Sequence, residues 1–335
     1  MSKLRAVLLL VFMLAFCRAV AAQGWETVDP AAAGWSVEGL NAAKTVSNAL
    51  KPTALVIVQD GKIVAAWGEP ARKVSAASVR KSLLSALYGI AVSEGKIDLS
   101  STLEELGIDD RPPSLTPQEK RASVRDLITA RSGIYHRAAN ETANMKRKRP
   151  ERGSHAPGTF WFYNNWDFNA LGTIYLQATG EDIFESFARR IARLTGMEDF
   201  SVGDGRYAFH PASDHPAYTF RLSARDAARF GQLFLDGGRW GGKQIVPEAW
   251  IKESTTAYSH AKRLRQGYGY MWWVLPADVW GNGAFYASGY GGQVIAIVPS
   301  KRLVVAQTVD LKQNPKGVRT SAFIELLKQI EAAAP

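Results

Sequence analysis

Apolar and polar positions along the chain fall into blocks of different period. Ala54-Leu55-Val56-Ile57-Val58-Gln59 and Lys62-Ile63-Val64-Ala65-Ala66-Trp67 are two apolar runs on either side of Asp60-Gly61. Asp-Gly tolerates the positive φ angles of a two-residue turn, so the pair predicts a β-hairpin. From Ser78 to about Glu94 the period changes. Leu83, Leu84, Leu87, Ile90 and Ala91 recur at spacings of three and four, which predicts a helix ended by Gly95. Before the hairpin, residues 23–50 read as an amphipathic helix after a turn at Pro30. Residues 100–160 are rich in Pro, Gly and charge and hold one short helix, Val124-Arg125-Asp126-Leu127-Ile128. Further helices are predicted over 168–178, 183–194 and 224–235, the last stopped by Asp236-Gly237-Gly238. Apolar runs at 268–274, 293–298 and 303–308 predict strands, and a helix over 320–331 closes the chain.

Strands near both ends with helices between them predict an α/β (α+β) fold. Its antiparallel sheet is built from N- and C-terminal segments, about 50–75 and 265–335, and is flanked by helices. A mostly helical subdomain is inserted over about 78–260. No internal repeat or long linker divides residues 23–335, and 46% hydrophobic residues suffice for a large core.

The first residues read differently. Lys3 and Arg5 precede an unbroken apolar run from Ala6 to Cys17, followed by the small residues Ala19, Val20, Ala21 and Ala22. The run is short of the roughly 20 residues a spanning helix needs. Residues 1–22 are therefore expected to be a cleaved signal peptide, with a periplasmic or secreted destination. An uncleaved anchor and a lipoprotein at Cys17 are the alternatives; the bulky Phe16 weighs against the second. Cleavage removes the only cysteine, which excludes disulfides, a cysteine nucleophile and thiolate metal sites. It also removes Lys3, Arg5 and Arg18, so the net charge of +10 falls by three to +7. For an exported protein this balance fits solubility or an anionic envelope surface rather than nucleic acid. Lys146, Arg147, Lys148, Arg149 and Arg152 read as a solvated loop, close enough to Tyr163 in sequence to steer acidic substrates.

No G-x-S-x-G, no H-E-x-x-H and no metal-spaced His pair occurs, so no metal or cofactor is expected. His210 and His215 read as surface residues. The sequence does hold S-x-x-K at Ser78-Val79-Arg80-Lys81. Serine and lysine three apart on a helix share a face, so the amine can reach the hydroxyl. A partly desolvated lysine there has a lowered pKa and can serve as a base. The same spacing recurs at Ser93-Glu94-Gly95-Lys96 and Ser259-His260-Ala261-Lys262, but only Ser78 opens a long apolar helix just after a hairpin. A second motif, Tyr163-Asn164-Asn165, is the only Y-x-N in the chain. Taken alone, a tyrosine between Phe162 and Trp166 would read as aromatic packing.

Together these residues resemble the serine β-lactamase/penicillin-binding-protein-like superfamily, in its class C-like branch of esterases, D-amino-acid peptidases and 6-aminohexanoate-dimer hydrolase relatives. SVRKSLLSALYGIAVSEGKIDL from Ser78, VRDLITARSG from Val124, the segment from Pro157 to Gly172, and YASGYGGQ from Tyr286 occur in family order. The resemblance thus covers most of residues 23–335. It implies an acyl-enzyme formed on Ser78, with Lys81 and Tyr163 sharing the proton as base and acid, and leaves open which takes it first. It also implies that Asn165 hydrogen-bonds Lys81 and substrate. An oxyanion hole would form from the Ser78 N–H and one N–H of Ser288-Gly289-Tyr290-Gly291, on an edge strand.

One departure matters. The family's third motif begins with Lys or His, but here it reads Ala287-Ser288-Gly289, without the cation that orients carboxylates in penicillin-recognising members. An ester or linear amide therefore becomes the expected substrate, small or peptide-like. A β-lactamase or D,D-peptidase, and a catalytically silent sensor on the same scaffold, are the alternatives; no obligate protein partner is inferred. Arg80 points away from Lys81 on a helix and is not read as a substitute. Tyr268, Tyr270, Trp272, Trp273, Tyr286 and Tyr290 could line a cleft or fill the core.

Overall fold

The computed structural model describes residues 25–261 and 265–335. The expected signal peptide, Cys17 included, lies outside the described residues. Strands β1 (Ala54–Gln59) and β2 (Lys62–Gly68) form the predicted hairpin, with Asp60 and Gly61 both at positive φ, 47° and 77°. After β3 (Val74–Ser75), β4 (Gly205–His210), β5 (Ser213–Leu222), β6 (Arg239–Trp240) and β7 (Lys243–Gln244), the chain returns to the main sheet. It does so through β8 (Ser259–Ala261), β9 (Gln266–Tyr268), β10 (Trp273–Val274), β11 (Phe285–Gly289), β12 (Gln293–Val298) and β13 (Leu303–Thr308). The main sheet has the order β2-β1-β13-β12-β11-β10-β9-β8, antiparallel throughout. N- and C-terminal segments thus share one sheet through the β1–β13 pair, as the sequence predicts.

Helices cover both faces. Leu55, Ile57, Val294, Ala296, Leu303 and Val305 meet α1 (Val37–Leu50) and α11 (Thr320–Ala333). Val56, Val58, Ile295, Ile297, Val304 and Ala306 face the larger helical region. There, α2 (Arg80–Ser93) is followed by the short helices α3 (Pro117–Lys120), α4 (Val124–Ile128) and α5 (Ala143–Lys148). Next come α6 (Asn165–Thr179), α7 (Ile183–Phe187), α8 (Ala224–Leu235), α9 (Glu248–Ser254) and α10 (Ala277–Trp280). Two covered faces explain why β1, β12 and β13 are buried at every position and read as unbroken apolar runs. Among the described residues no helix is long and apolar enough to cross a membrane.

Several expectations are refined. The helix expected over 23–50 starts at Val37, because the Ser36 side chain accepts from Gly39 N and caps it there. The helix expected over 183–194 ends its α-helical part at Phe187 and continues as a π turn, Ala188–Ala192. The strand expected over 268–274 is two strands, because Gly269 lies so close to α9 that a Cβ there would sit 2.1 Å from Ser254 O. The chain reverses at that point, with Met271 at φ 62°, and Tyr270 N donates to Ser254 O. The insertion also contains a β4–β5 hairpin, joined to β3, that the sequence reading missed. Finally, His215 is buried rather than on the surface: its ring bonds Thr173 Oγ1 and Asp109 O.

Helix α8 crosses the sheet at Gly231, where a Cβ would lie 2.5 Å from Val304 Cγ1 and 2.9 Å from Ile295 Cγ2. Glycine usually weakens a helix interior by about 1 kcal/mol relative to alanine. Here overpacking against an interior strand outweighs that gain. Gly231→Ala is expected to lose about 1–3 kcal/mol in urea denaturation; a more stable variant would show that helix propensity dominates.

Candidate active site

Ser78 sits in a 3-10 turn, Ala77–Val79, immediately before α2. Ala77 has φ 46°, a conformation unfavourable for a residue with a Cβ and found where the surrounding structure enforces it. Three contacts enforce it: Ala76 N donates to Phe220 O of β5, Ala77 N donates to Ser75 Oγ, and Ala76 O touches β11. The last contact requires glycine at 289, where a Cβ would come within 2.7 Å of Ala76 O. Downstream, α2 is buried along its whole run from Arg80 to Ala91. Ser82 and Ser85 spend their hydroxyls on the carbonyls of Met271 and Tyr270.

This arrangement presents Ser78 half-exposed and fixes Lys81 beneath it. Lys81 Nζ donates to Ser78 Oγ at 2.8 Å, and Lys81 is only 2% exposed. Its Nζ lies 4.8 Å from the Tyr163 ring centroid and 4.9 Å from that of Phe168. Ring faces attract the protonated amine. Burial and then the charge of Arg80 outweigh them and hold the Lys81 pKa well below the usual lysine range. Tyr163 stacks on Trp273 at 5.6 Å and packs against Phe168 and Tyr268. Burial pushes its phenol up to about 12, with the Ser78 hydroxyl and Arg80 pulling the other way. Around neutral pH the site therefore pairs a depressed amine with a phenol that keeps its proton.

A cleft of about 490 Å³ opens over Ser78. Tyr163, Trp273 and Ser288–Gly292 line it, together with Thr142, Asn144 and Met145 at the start of α5 and Lys316 and Arg319 before α11. Ser78, Tyr163, Ser288, Gly289, Tyr290 and Gly291 thus share one cavity. The strand carrying 288–291 is not an edge strand: β11 lies between β12 and β10. Its pairing with β10 covers only Phe285 and Tyr286, so its last residues are free on that side and face Ser78. Ala287 is fully buried in the core shared with α2, and no cation stands at that position.

Asn165 behaves otherwise than the resemblance implies. As the first residue of α6 it donates to Asn140 O at 2.7 Å, satisfying a carbonyl of the loop at 139–140, and it makes no bond to Lys81. Of the aromatic set, Trp273 and the 67%-exposed Tyr290 line the cleft, whereas Tyr268, Tyr270, Trp272 and Tyr286 are core. The basic cluster is not a uniform loop. Lys146, Arg147 and Lys148 are exposed on α5 but do not line the cleft, while Arg149 pairs with Glu141 and Arg152 with Glu119.

Asp167 went unnoticed in the sequence, and Arg80 was weighed only as a substitute for the missing cation. Asp167 is buried and accepts from Ser132 Oγ at 2.6 Å and Asn164 Nδ2 at 2.8 Å. Burial nevertheless raises its pKa well above the carboxylate range, against the pull of these two hydrogen bonds. Arg80, 2% exposed, donates to Asn169 Oδ1 and stacks over Tyr218. A second cation beside Lys81 at the head of an apolar helix was the available signal. Among the described residues no three His, Cys, Asp or Glu side chains cluster as a metal site would require. A wider groove of about 690 Å³ beside Trp25 and Trp240 carries no serine–lysine pair.

The family described as Beta-lactamase matches residues 42–328. A 6-aminohexanoate-dimer hydrolase of Paenarthrobacter ureafaciens is 24% identical over 263 residues, 69% of this chain and 64% of that protein. A D-aminopeptidase of Brucella anthropi is 27% identical over 173 residues, 43% of this chain and 31% of that protein. In fold, the chain is similar to a D-alanine carboxypeptidase of Burkholderia cenocepacia. The TM-score is 0.63 at 18% identity, covering 89% of this chain and 99% of that one.

The buried amine has a stability signature. A lysine with a depressed folded pKa leaves the unfolded chain binding more protons between that value and about 10.4, so stability rises with pH across the window. Lys81→Met lacks this linkage. It is expected to be more stable than wild type at pH 7, with the gap closing toward pH 10 by up to about 1.4 kcal/mol per unit. A gap that does not change with pH in urea titrations would show that Lys81 is charged when folded.

Proposed function

Because the chain belongs to the Beta-lactamase family, we propose that it is an exported serine hydrolase that cleaves esters or linear amides through an acyl-enzyme on Ser78. The observation that carries this reading is the 2.8 Å contact between Ser78 Oγ and a Lys81 amine whose pKa burial and Arg80 depress. Ser78 Oγ attacks the carbonyl carbon and its proton passes to Lys81 Nζ, already in hydrogen-bonding contact. Lys81 is the better first acceptor, since Tyr163 keeps its own proton up to about 12. Collapse of the tetrahedral species expels an alcohol or amine, protonated through the Lys81–Tyr163 pair, and leaves the acyl-serine. Water then adds to the acyl carbon, giving up its proton by the same route, and the acid departs. Backbone N–H groups of Ser78 and the 288–291 segment, on opposite sides of the cleft, are the candidate donors to the oxyanion.

Substrate preference follows from the charges around the cleft. No cation stands at Ala287, which is buried, but Lys316 and Arg319 line the cleft, exposed and without ion-pair partners among the described residues. A linear amide or ester with a free carboxylate finds its counter-charge there. The D-aminopeptidase and 6-aminohexanoate-dimer hydrolase relatives are consistent with amide cleavage. Export rests on residues 1–22. Intact mass of periplasmic protein should show their loss, and a full-length chain there would overturn it.

Wild type should be labelled by a fluorophosphonate or a fluorescent penicillin, and Ser78→Ala should not. Turnover of an activated ester should fall by at least about a thousandfold in Ser78→Ala and Lys81→Ala, and by about 10²–10⁴ in Tyr163→Phe. Carboxylate-bearing linear amides should be cleaved with higher kcat/KM than their methyl esters at the same carboxylate. Absence of labelling would sink the enzyme reading, and labelling that survives Ser78→Ala would sink this nucleophile. Rapid cephalosporin hydrolysis would reverse the substrate order.

A further inference from the structure

Arg80 separates the nucleophile from Lys81 in sequence, yet its side chain leaves α2 on another side and never reaches the cleft. It is buried to 2% exposure. One guanidinium nitrogen donates to Asn169 Oδ1 at 2.9 Å, the group lies 4.3 Å above the Tyr218 ring, and Nη1 has no acceptor among the described residues. A guanidinium does not deprotonate in proteins, so the charge is permanent. A buried cation normally finds a carboxylate, because removing it from water is otherwise strongly unfavourable. Arg80 has none: it forms no ion pair among the described residues.

No group around it forms an ion pair with it. Facing this region are Ser78 from the preceding turn, Tyr163 from the segment before α6, Tyr218 from β5, Tyr268 from β9, and Tyr88 on α2 itself. Burial keeps all four phenols protonated near neutral pH. On α6, burial raises the Asp167 pKa well above the carboxylate range and Asp167 forms no ion pair with Arg80, while Asn169 and Phe168 carry no charge. Arg80 is the charge that acts on Lys81 through this low-dielectric interior.

We propose that Arg80 is a positioning residue for proton transfer at Ser78, a fixed internal cation, left without a counter-ion, that keeps the Lys81 amine free to accept the serine proton. This rests on the reading of Ser78 as nucleophile and Lys81 as base. Asn169 matters because it anchors the guanidinium without neutralising it, which an aspartate at the same place would do.

The test is the pH profile of kcat/KM for an activated ester, in wild type, Arg80→Met, Arg80→Lys and Asn169→Asp, with folding checked by circular dichroism and Ser78→Ala as control. Arg80→Met and Asn169→Asp should both move the acid limb upward by about half a unit or more, lowering activity on that limb about threefold while the alkaline plateau stays within a few fold. Arg80→Lys, which keeps a charge, should hold the limb near its wild-type position. A purely structural role would lower the plateau and leave the limb in place, and that result in a folded Arg80→Met or Asn169→Asp overturns the proposal. If Arg80→Met does not fold, Asn169→Asp and Arg80→Lys decide by the same criterion. Full activity in Ser78→Ala would instead remove the catalytic reading itself, which separates the two failures.

Discussion

A lysine amine packed under a serine hydroxyl, out of water and with no carboxylate beside it, is the constraint from which the rest of this structure follows. Lys81 reaches Ser78 only because the serine leads directly into a helix buried all round, so neither side chain can drift from the other. Burial that would be a liability for an ordinary lysine here holds the amine's pKa well below that of an exposed one. The same desolvation acts on Tyr163 in the opposite sense and leaves its phenol protonated. One physical cause thus lowers one group's pKa and raises the other's.

Holding the pair requires the sheet as well as the helix. The turn carrying Ser78 is clamped between β5 and the end of β11, and Ala77 accepts an unfavourable φ because the clamp leaves no alternative. Gly289 is the point where the two halves of the fold touch without a side chain between them. The cleft lies on that seam, so one wall comes from the C-terminal strands and the other from the helical insertion. The exposed cations in the cleft lining, Lys316 and Arg319, come from the segment before α11, and the insertion adds Thr142, Asn144 and Met145.

Much of this was legible before any coordinates. The hairpin, the buried helix after Ser78 and the C-terminal strands follow from period and turn chemistry, which are local properties. Ser78 and Lys81 were legible because helical spacing alone puts them on one face, and Tyr163 because its motif is unique and correctly placed. Less legible were features created by contacts between distant segments. The run from Tyr268 to Val274 reads as one strand until Gly269 meets Ser254 across the fold. His215 looks like a polar loop residue until Thr173 and Asp109 enclose it.

By itself, then, the amino-acid order determined most of the elements and the shared sheet, because these depend on period and turn chemistry within single segments, and it singled out the serine, lysine and tyrosine through context and resemblance. Only the tertiary structure decided the direction of their pKa shifts, the role of Asn165 as a brace for the 139–140 loop, the raised pKa of Asp167 and the isolation of Arg80. Those properties depend on how much water and which charges surround a side chain. Both are set by segments far away in sequence, such as β5, β9 and α6, that arrive only when the chain has folded.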